Sequence, residues 1–408
     1  MNGPIDHEPS LWKAVADDAD LMSAAADCDP TAASSISRLR KQYPAERVAI
    51  ALELVKARAK AAVKFPQQAS ALIADAAGVE QATSLRAATH KAQRLVDAGF
   101  KQVIDLCCGV GGDAMGFTAA GLEVTAVDRH PTRAWMAERN AGCTPRVIDA
   151  ESLLRETPPP GSALHLDPAR RTEVGRVFRL ADYQPDPKTI NALLQRYPDA
   201  GIKLSPAVNL TELEEVLPLG EASRGNASGG RTSGGEVEFI SEGGRLVQAV
   251  LWTGRLASGQ PRTATLLADS QTHTLAGTPA EPDFAPAAQY LYTVDPAVER
   301  AGLLPRLDLP AIHPRLGLLT ADTVIDNPWL TGFELLAELP YSAKNPKKVK
   351  AWLADHDAGL VEIKTRGKAV DPDPLQRALR GQGATPYTLF ILRFDQRLTC
   401  LVTRRLTG

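Results

Sequence analysis

A regular alternation of short apolar strands with helical stretches, running from residue 101 to residue 204, constrains this chain more than any other feature. Residues 103–106 read as a strand, followed by Gly109, Gly111 and Gly112 and a helical run to Ala120 that Gly121 ends. Residues 122–128 give a second strand, 131–141 a second helix, 146–148 a third strand and 163–166 a fourth. A helix over 190–197 and a fifth strand over 201–204 follow. Strands joined through helices pair in parallel, because a parallel neighbour can be reached only by a long crossover. The pattern predicts an α/β fold with a doubly wound parallel sheet.

The first turn of that sheet carries the chemistry. Asp105-Leu-Cys-Cys-Gly109-Val-Gly111-Gly112-Asp113 ends a strand in glycines and opens a helix, which lets backbone approach a ligand closely. Nicotinamide enzymes and methyltransferases share such loops. A carboxylate at the mouth would repel a pyrophosphate seated on the helix N-terminus. A cation reverses the sign, and S-adenosylmethionine carries a sulfonium and an α-ammonium, so Asp105 and Asp113 favour it. Asp128 lies 23 residues beyond Asp105 at the end of the next strand, where a carboxylate can accept from both ribose hydroxyls. Asp149, after the third strand, can accept from an adenine amine or cap the helix that starts at Ala150. Helix capping is the competing reading for each of these aspartates alone. Five cysteines offer neither a disulfide framework nor zinc spacing, and no metal site is expected.

The fourth strand ends in His165-Leu166-Asp167-Pro168-Ala169-Arg170-Arg171. Ligands of open α/β sheets sit beyond the carboxyl ends of the strands, so Asp167 is placed to face a transferred methyl group. An Asp-Pro turn presents a carboxylate and backbone carbonyls together, which suits an exocyclic amine whose N–H groups must be held. Catalysis then rests on Asp167, Pro168 and Ala169, while Arg170 and Arg171 can hold a phosphate. Methylation at a base carbon needs a cysteine nucleophile, and none follows the turn. Asn327-Pro328-Trp329 looks superficially like an amine-methylase motif but reads better as a turn with a core aromatic.

Outside the sheet, residues 1–30 are acidic, with net charge −6. This is the wrong sign for a targeting peptide, and no apolar run is long enough to span a membrane, so a cytoplasmic protein is expected. Residues 31–100 form a helical region of net charge +6, and 341–408 carry +7. Lys56, Lys60 and Lys64 share a helix face, either solvated or touching phosphate. Val48, Leu52 and Val55 are the apolar positions of that helix, and Thr83 is the expected cap of a helix over 84–98. The methyltransferase-type domain is placed at 101–276, with a flexible Gly/Ser-rich loop over 220–235 and a hairpin over 236–252. A linker at 277–288 leads to an α+β domain over 289–408. Lys347, Lys348 and Lys350 on a helix over 347–355, together with Arg366, are the candidate RNA contacts there, beside Lys344, Lys364 and Lys368.

The run VIDLCCGVGGDAMGFTAAGLEVTAVDRHPTRAWMAERN resembles the cofactor half of class I S-adenosylmethionine-dependent methyltransferases, and is similar, more distantly, to trimethylguanosine synthases. Glu80-Gln-Ala-Thr-Ser84, the LDPARR turn, Lys203-Leu-Ser-Pro206 and the tail around 361–367 and 388–404 extend the resemblance to bacterial proteins with a THUMP-like C-terminal domain. It implies a Rossmann-like, seven-stranded sheet whose last two strands are the 236–252 hairpin. Contacts from Asp105, Gly109, Gly111 and Asp128 to S-adenosylmethionine are implied too, with 167–169 bordering the acceptor. Ala169 and Arg170 stand where amine methylases of the Asp/Asn-Pro-Pro-aromatic type carry proline and a stacking ring. The expected function is methyl transfer to a base nitrogen of RNA. The alternatives are an RNA-binding protein with an inactive methyltransferase fold, or a methyltransferase for a small molecule or protein.

Overall fold

The structure, a computed structural model, describes residues 8–170, 180–217, 235–269, 271–313, 316–342, 346–366, 369–394 and 397–406. The chain divides into two compact units: Met1–Glu238 with Gln248–Gln260, and Phe239–Val247 with Pro261–Gly408. The chain therefore passes between them three times.

The first unit opens with helices α1 (Pro9–Ala16), α2 (Ala19–Ala26), α3 (Ala33–Gln42), α4 (Ala45–Lys64), α5 (Ala76–Gln81) and α6 (Leu85–Asp97). Within the acidic N-terminal stretch, Pro9–Ala16 and Ala19–Ala26 are thus helical. Asp18 caps α2 by accepting from Leu21 N at 3.0 Å and pairs with Arg47 of α4 at 2.7 Å. Trp12, Val15, Leu21 and Ala25 are buried with Val48, Ile50, Ala51 and Leu54 in a core that also holds Val110, Met115 and Met136. The buried stripe of α4 runs through Val48, Ala51, Leu54, Ala57 and Ala61, so Leu52 and Val55 are only half-buried. Lys60 is ion-paired with Glu80, and Lys64 Nζ donates to the carbonyls of Val79, Glu80 and Ala82 at 2.6–2.9 Å. A cation at a helix C-terminus satisfies carbonyls that the helix leaves orphaned. Lys64 thus holds α5 and does not offer its charge to solvent, while Lys56 stays exposed. The cap of α6 is Ser84, whose Oγ accepts from Ala87 N, and not Thr83, whose hydroxyl is engaged elsewhere.

The sheet strands are β1 (Gln102–Leu106), β2 (Glu123–Asp128), β3 (Thr144–Val147), β4 (Ser162–Leu166), β5 (Ala200–Leu204), β6 (Glu236–Glu242) and β7 (Arg245–Trp252). Their order is β3–β2–β1–β4–β5–β7–β6, with the first five parallel and β7 antiparallel to β5. Intervening helices are α7 (Gly112–Ala119), α8 (Pro131–Ala141), α9 (Ala150–Leu153), α10 (Pro187–Arg196) and α11 (Leu210–Val216). The mixed α/β fold is the one the alternation predicts. The hairpin turns at Gly243–Gly244 as expected. Of the Gly/Ser-rich stretch 220–235, all but Gly235 lies outside the described residues.

In the second unit, β8 (Arg262–Leu267) pairs with β9 (Thr272–Gly277) and lies on β6, so the sheet runs to nine strands and not the seven expected, and the hairpin strands are not its last. A six-stranded sheet follows, built from β10 (Tyr290–Val294), β11 (Leu318–Ala321), β12 (Leu330–Tyr341), β13 (Ala358–Thr365), β14 (Thr385–Phe394) and β15 (Arg397–Arg405). Its order is β11–β10–β12–β15–β14–β13, with helices α12 (Pro296–Ala301), α13 (Lys347–Asp355) and α14 (Pro372–Leu379). The Pro/Ala-rich stretch 277–288 lies inside this unit, where Ala280 N donates to Gly302 O and Ala285 N to Ala311 O. Trp329 is buried after an Asn327 turn, its backbone N–H donating to Asn327 Oδ1 at 3.0 Å.

Candidate functional site

The chain leaves β1 through Cys107, whose φ of +62° is unusual for a side-chain-bearing residue. Cys108 N donates to Val127 O at 3.1 Å, tying the loop to β2. Gly111 has φ +83°, and a side chain there would come within 2.8 Å of Ala137 Cα on α8. At Gly109, φ +55°, a side chain would meet nothing within 4 Å among the described residues. The two glycines do different work: one lets the loop press on α8, the other leaves the outer side open. Gly109 N donates to Asp128 Oδ2 at 3.0 Å, and Asp128 Oδ1 accepts from His130 N at 2.9 Å. Asn140 Nδ2 donates to Val110 O and Ile73 O, so α8 pins the loop to the segment before α5.

Beneath the loop lies a buried charged cluster. Asp105 is 1% exposed, and its Oδ1 lies 2.7 Å from His165 Nδ1 of the adjacent strand β4. The two residues are register partners, which puts both side chains on one face of the sheet. His165 Nε2 lies 3.0 Å from Nζ of Lys91, a fully buried residue of α6. Lys91 pairs with Asp113 Oδ1 at 2.5 Å, and Asp113 Oδ2 accepts from Thr83 Oγ1 at 2.8 Å. Burial pushes the Asp113 carboxyl up, but Lys91, His165 and Lys203 outweigh it and hold the group below its ordinary value. Burial dominates at Asp105, whose carboxyl is raised despite the His165 hydrogen bond. Asp105 Oδ2 is buried without a hydrogen-bond partner among the described residues.

At the exit of β4, Asp167 N donates to Leu106 O, and Asp167 Oδ2 pairs with Lys203 Nζ of β5 at 2.6 Å. Lys203 Nζ also reaches Gln81 O at 3.5 Å. Pro168 is buried and Ala169 exposed. The short strand Ala169–Arg170 pairs with Tyr183–Gln184, and Tyr183 Oη accepts from Ser205 N at 2.9 Å. The Arg170 side chain and the whole of Arg171 lie outside the described residues. Burial pushes the Cys107 thiol up, and the charges of Asp128, Asp167 and Asp105 push it further. Three of the carboxylates singled out by sequence thus converge on one loop, and no thiolate forms easily among them. Asp149 is exposed and caps α9, its Oδ1 accepting from Ser152 N at 2.7 Å.

Within the second unit, Lys347, Lys348 and Lys350 are exposed on α13. Arg366 donates to Glu299 Oε2 at 2.9 Å and Lys364 pairs with Glu362 at 3.0 Å, so both are engaged. Lys344 and Lys368 lie outside the described residues.

Residues 330–405 match the THUMP domain-like family. Two proteins of Mycobacterium tuberculosis strains, both described as uncharacterized S-adenosylmethionine-dependent methyltransferases, are 34% identical over 325 residues, covering 77% of this chain and 83% of theirs. The chain belongs to the S-adenosylmethionine-dependent methyltransferases. Its fold is similar to the crystal structure of a candidate methyltransferase from Porphyromonas gingivalis W83, with TM-score 0.72 at 19% identity over 96% of this chain and 99% of that one.

Sequence reasoning assigned no role to Lys91, His165 or Lys203 of this methyltransferase. The signal was present. Lys91 falls in the stripe Ala87, Ala88, Ala92, Leu95 that buries α6, and His165 and Lys203 interrupt strands whose neighbours are all apolar. A polar group in such a place must be paired, and each of these pairs with one of the aspartates that the sequence did single out.

Proposed function

We propose that this methyltransferase acts on a base nitrogen of RNA. The observation that carries the reading is the Asp167–Lys203 pair at the exit of β4. Lys203 occupies Asp167 Oδ2 and leaves Oδ1, which has no partner among the described residues, to accept an N–H from the acceptor amine, while Pro168 fixes the turn. Bound S-adenosylmethionine supplies a methyl group on a positively charged sulfur, open to direct displacement. The residues present fit it. The orphaned Oδ2 of Asp105 suits the α-ammonium, and the open side of Gly109 leaves room for the ligand. Each Asp128 oxygen accepts one backbone N–H and keeps a lone pair for a ribose hydroxyl. In this reading Gly111 shapes the loop, Asp113 acts through Lys91, and Asp149 caps α9 with one oxygen and meets the adenine amine with the other.

The THUMP-like region and the exposed Lys347, Lys348 and Lys350 support RNA as the acceptor. Arg170 and Arg171 are assigned to phosphate, and Arg366 to an RNA contact of the second unit through the guanidinium nitrogens that Glu299 does not take. The test is transfer of a tritiated methyl group from S-adenosylmethionine to total cellular RNA, followed by nucleoside analysis. Label in a base-methylated nucleoside is expected. Label only in protein or small molecules would overturn RNA as the substrate. Asp167→Ala is expected to abolish transfer while leaving cofactor affinity within a factor of about ten, roughly 1.4 kcal/mol. Equal losses of binding and turnover would make Asp167 a cofactor ligand instead.

A further inference from the structure

Beneath the loop, the buried carboxylates Asp105 and Asp113 meet the His165 ring and the Lys91 ammonium. Lys91 sits at 2.5 Å on Asp113, so that pair is internally balanced. An ammonium has donors only. The nitrogen that faces it at 3.0 Å, His165 Nε2, must therefore accept, which leaves the ring proton on Nδ1. There it donates to Asp105 Oδ1 at 2.7 Å. The result is directional: one oxygen of Asp105 is occupied, and the other is left buried with no partner among the described residues. A buried carboxylate oxygen without a donor is costly, and a cationic N–H donor would relieve it.

We propose that His165, its tautomer set by Lys91, is a positioning residue that presents Asp105 Oδ2 to the α-ammonium of S-adenosylmethionine. The proposal rests on the reading of Asp105 as a cofactor contact and adds what makes that contact selective for the amino-acid end of the ligand. Phe117 packs edge-on against the His165 ring, with centroids 5.1 Å apart.

The test compares S-adenosylmethionine with 5′-methylthioadenosine, which keeps the adenosine and sulfur but lacks the amino-acid end. Affinities are measured by calorimetry on the full chain. His165→Phe is expected to weaken S-adenosylmethionine by about ten- to a hundredfold, the range for a charge-assisted hydrogen bond, and to leave 5′-methylthioadenosine within about threefold. His165→Asn, whose amide N–H replaces Nδ1–H, is expected to restore most of the loss. Equal weakening of both ligands, or of neither, overturns the proposal. The wild-type protein gives a second readout that survives misfolding of either variant: nitrogen NMR of labelled histidine must show His165 protonated on Nδ1, and a proton on Nε2 overturns the proposal. Wild-type protein that binds 5′-methylthioadenosine as tightly as S-adenosylmethionine removes the Asp105 contact itself. That outcome is distinct from a failure of His165 alone.

Discussion

Asp128 holds two structures together with one carboxylate: the start of the chain beyond β2, through His130 N, and the glycine loop, through Gly109 N. If it also takes the ribose hydroxyls, Asp128→Ala should remove about 2–3 kcal/mol of S-adenosylmethionine binding. Titration calorimetry with unchanged affinity would remove Asp128 from the site. At this scale the sequence was most legible in placement: it put Asp105, Gly109 and Asp128 around the first turn of the sheet, where the structure has them. It was least legible where a polar side chain hides in an apolar run. Asp113 illustrates the limit. Its position at the helix start gave it as a carboxylate for a cationic ligand, yet the cation it meets is Lys91 of the protein, contributed by a helix that only the tertiary fold brings near.

Helix α13 is the element on which the proposed RNA delivery turns. Val349 and Leu353 bury one side of it, and Lys347, Lys348 and Lys350 stay exposed. Neutralising the three lysines should weaken binding to every RNA alike and flatten log affinity against log salt by about two to three units, at roughly 0.7–0.9 per contact. Filter binding at several salt concentrations checks this, and superimposable curves for variant and wild type would refute the delivery role. The bounds of α13 and α8 could be read from the sequence because each helix packs one clear face. Strands β8 and β9 could not. Every residue of β8 is buried, threonines included, so no polar alternation marks it. The apolar set first read in α4 slipped because alanines carry much of the buried face, and small residues leave a weak periodic signal.

For the molecule as a whole, the N-terminal helices belong to the same core as the glycine loop. Trp12 is fully buried beside residues of α4, and the cluster reaches Val110 within the loop itself. Trp12→Ala should cost about 3–5 kcal/mol in urea unfolding, and a loss below about 1 kcal/mol would show that α1 is not part of the cooperative unit. The acidic composition of residues 1–30 concealed this role, because its charges serve caps and ion pairs while a few large apolar side chains do the packing. The interleaving of the two units has a consequence for how such a protein can be recombined. Because Phe239–Val247 belongs to one unit and both flanking stretches to the other, no single crossover in a gene exchanges either unit intact. A chimera cut at residue 260 would carry away most of the second unit's chain but leave behind its hairpin tip. Exchanging either unit whole therefore takes three crossovers, one at each point where the chain passes from one unit to the other.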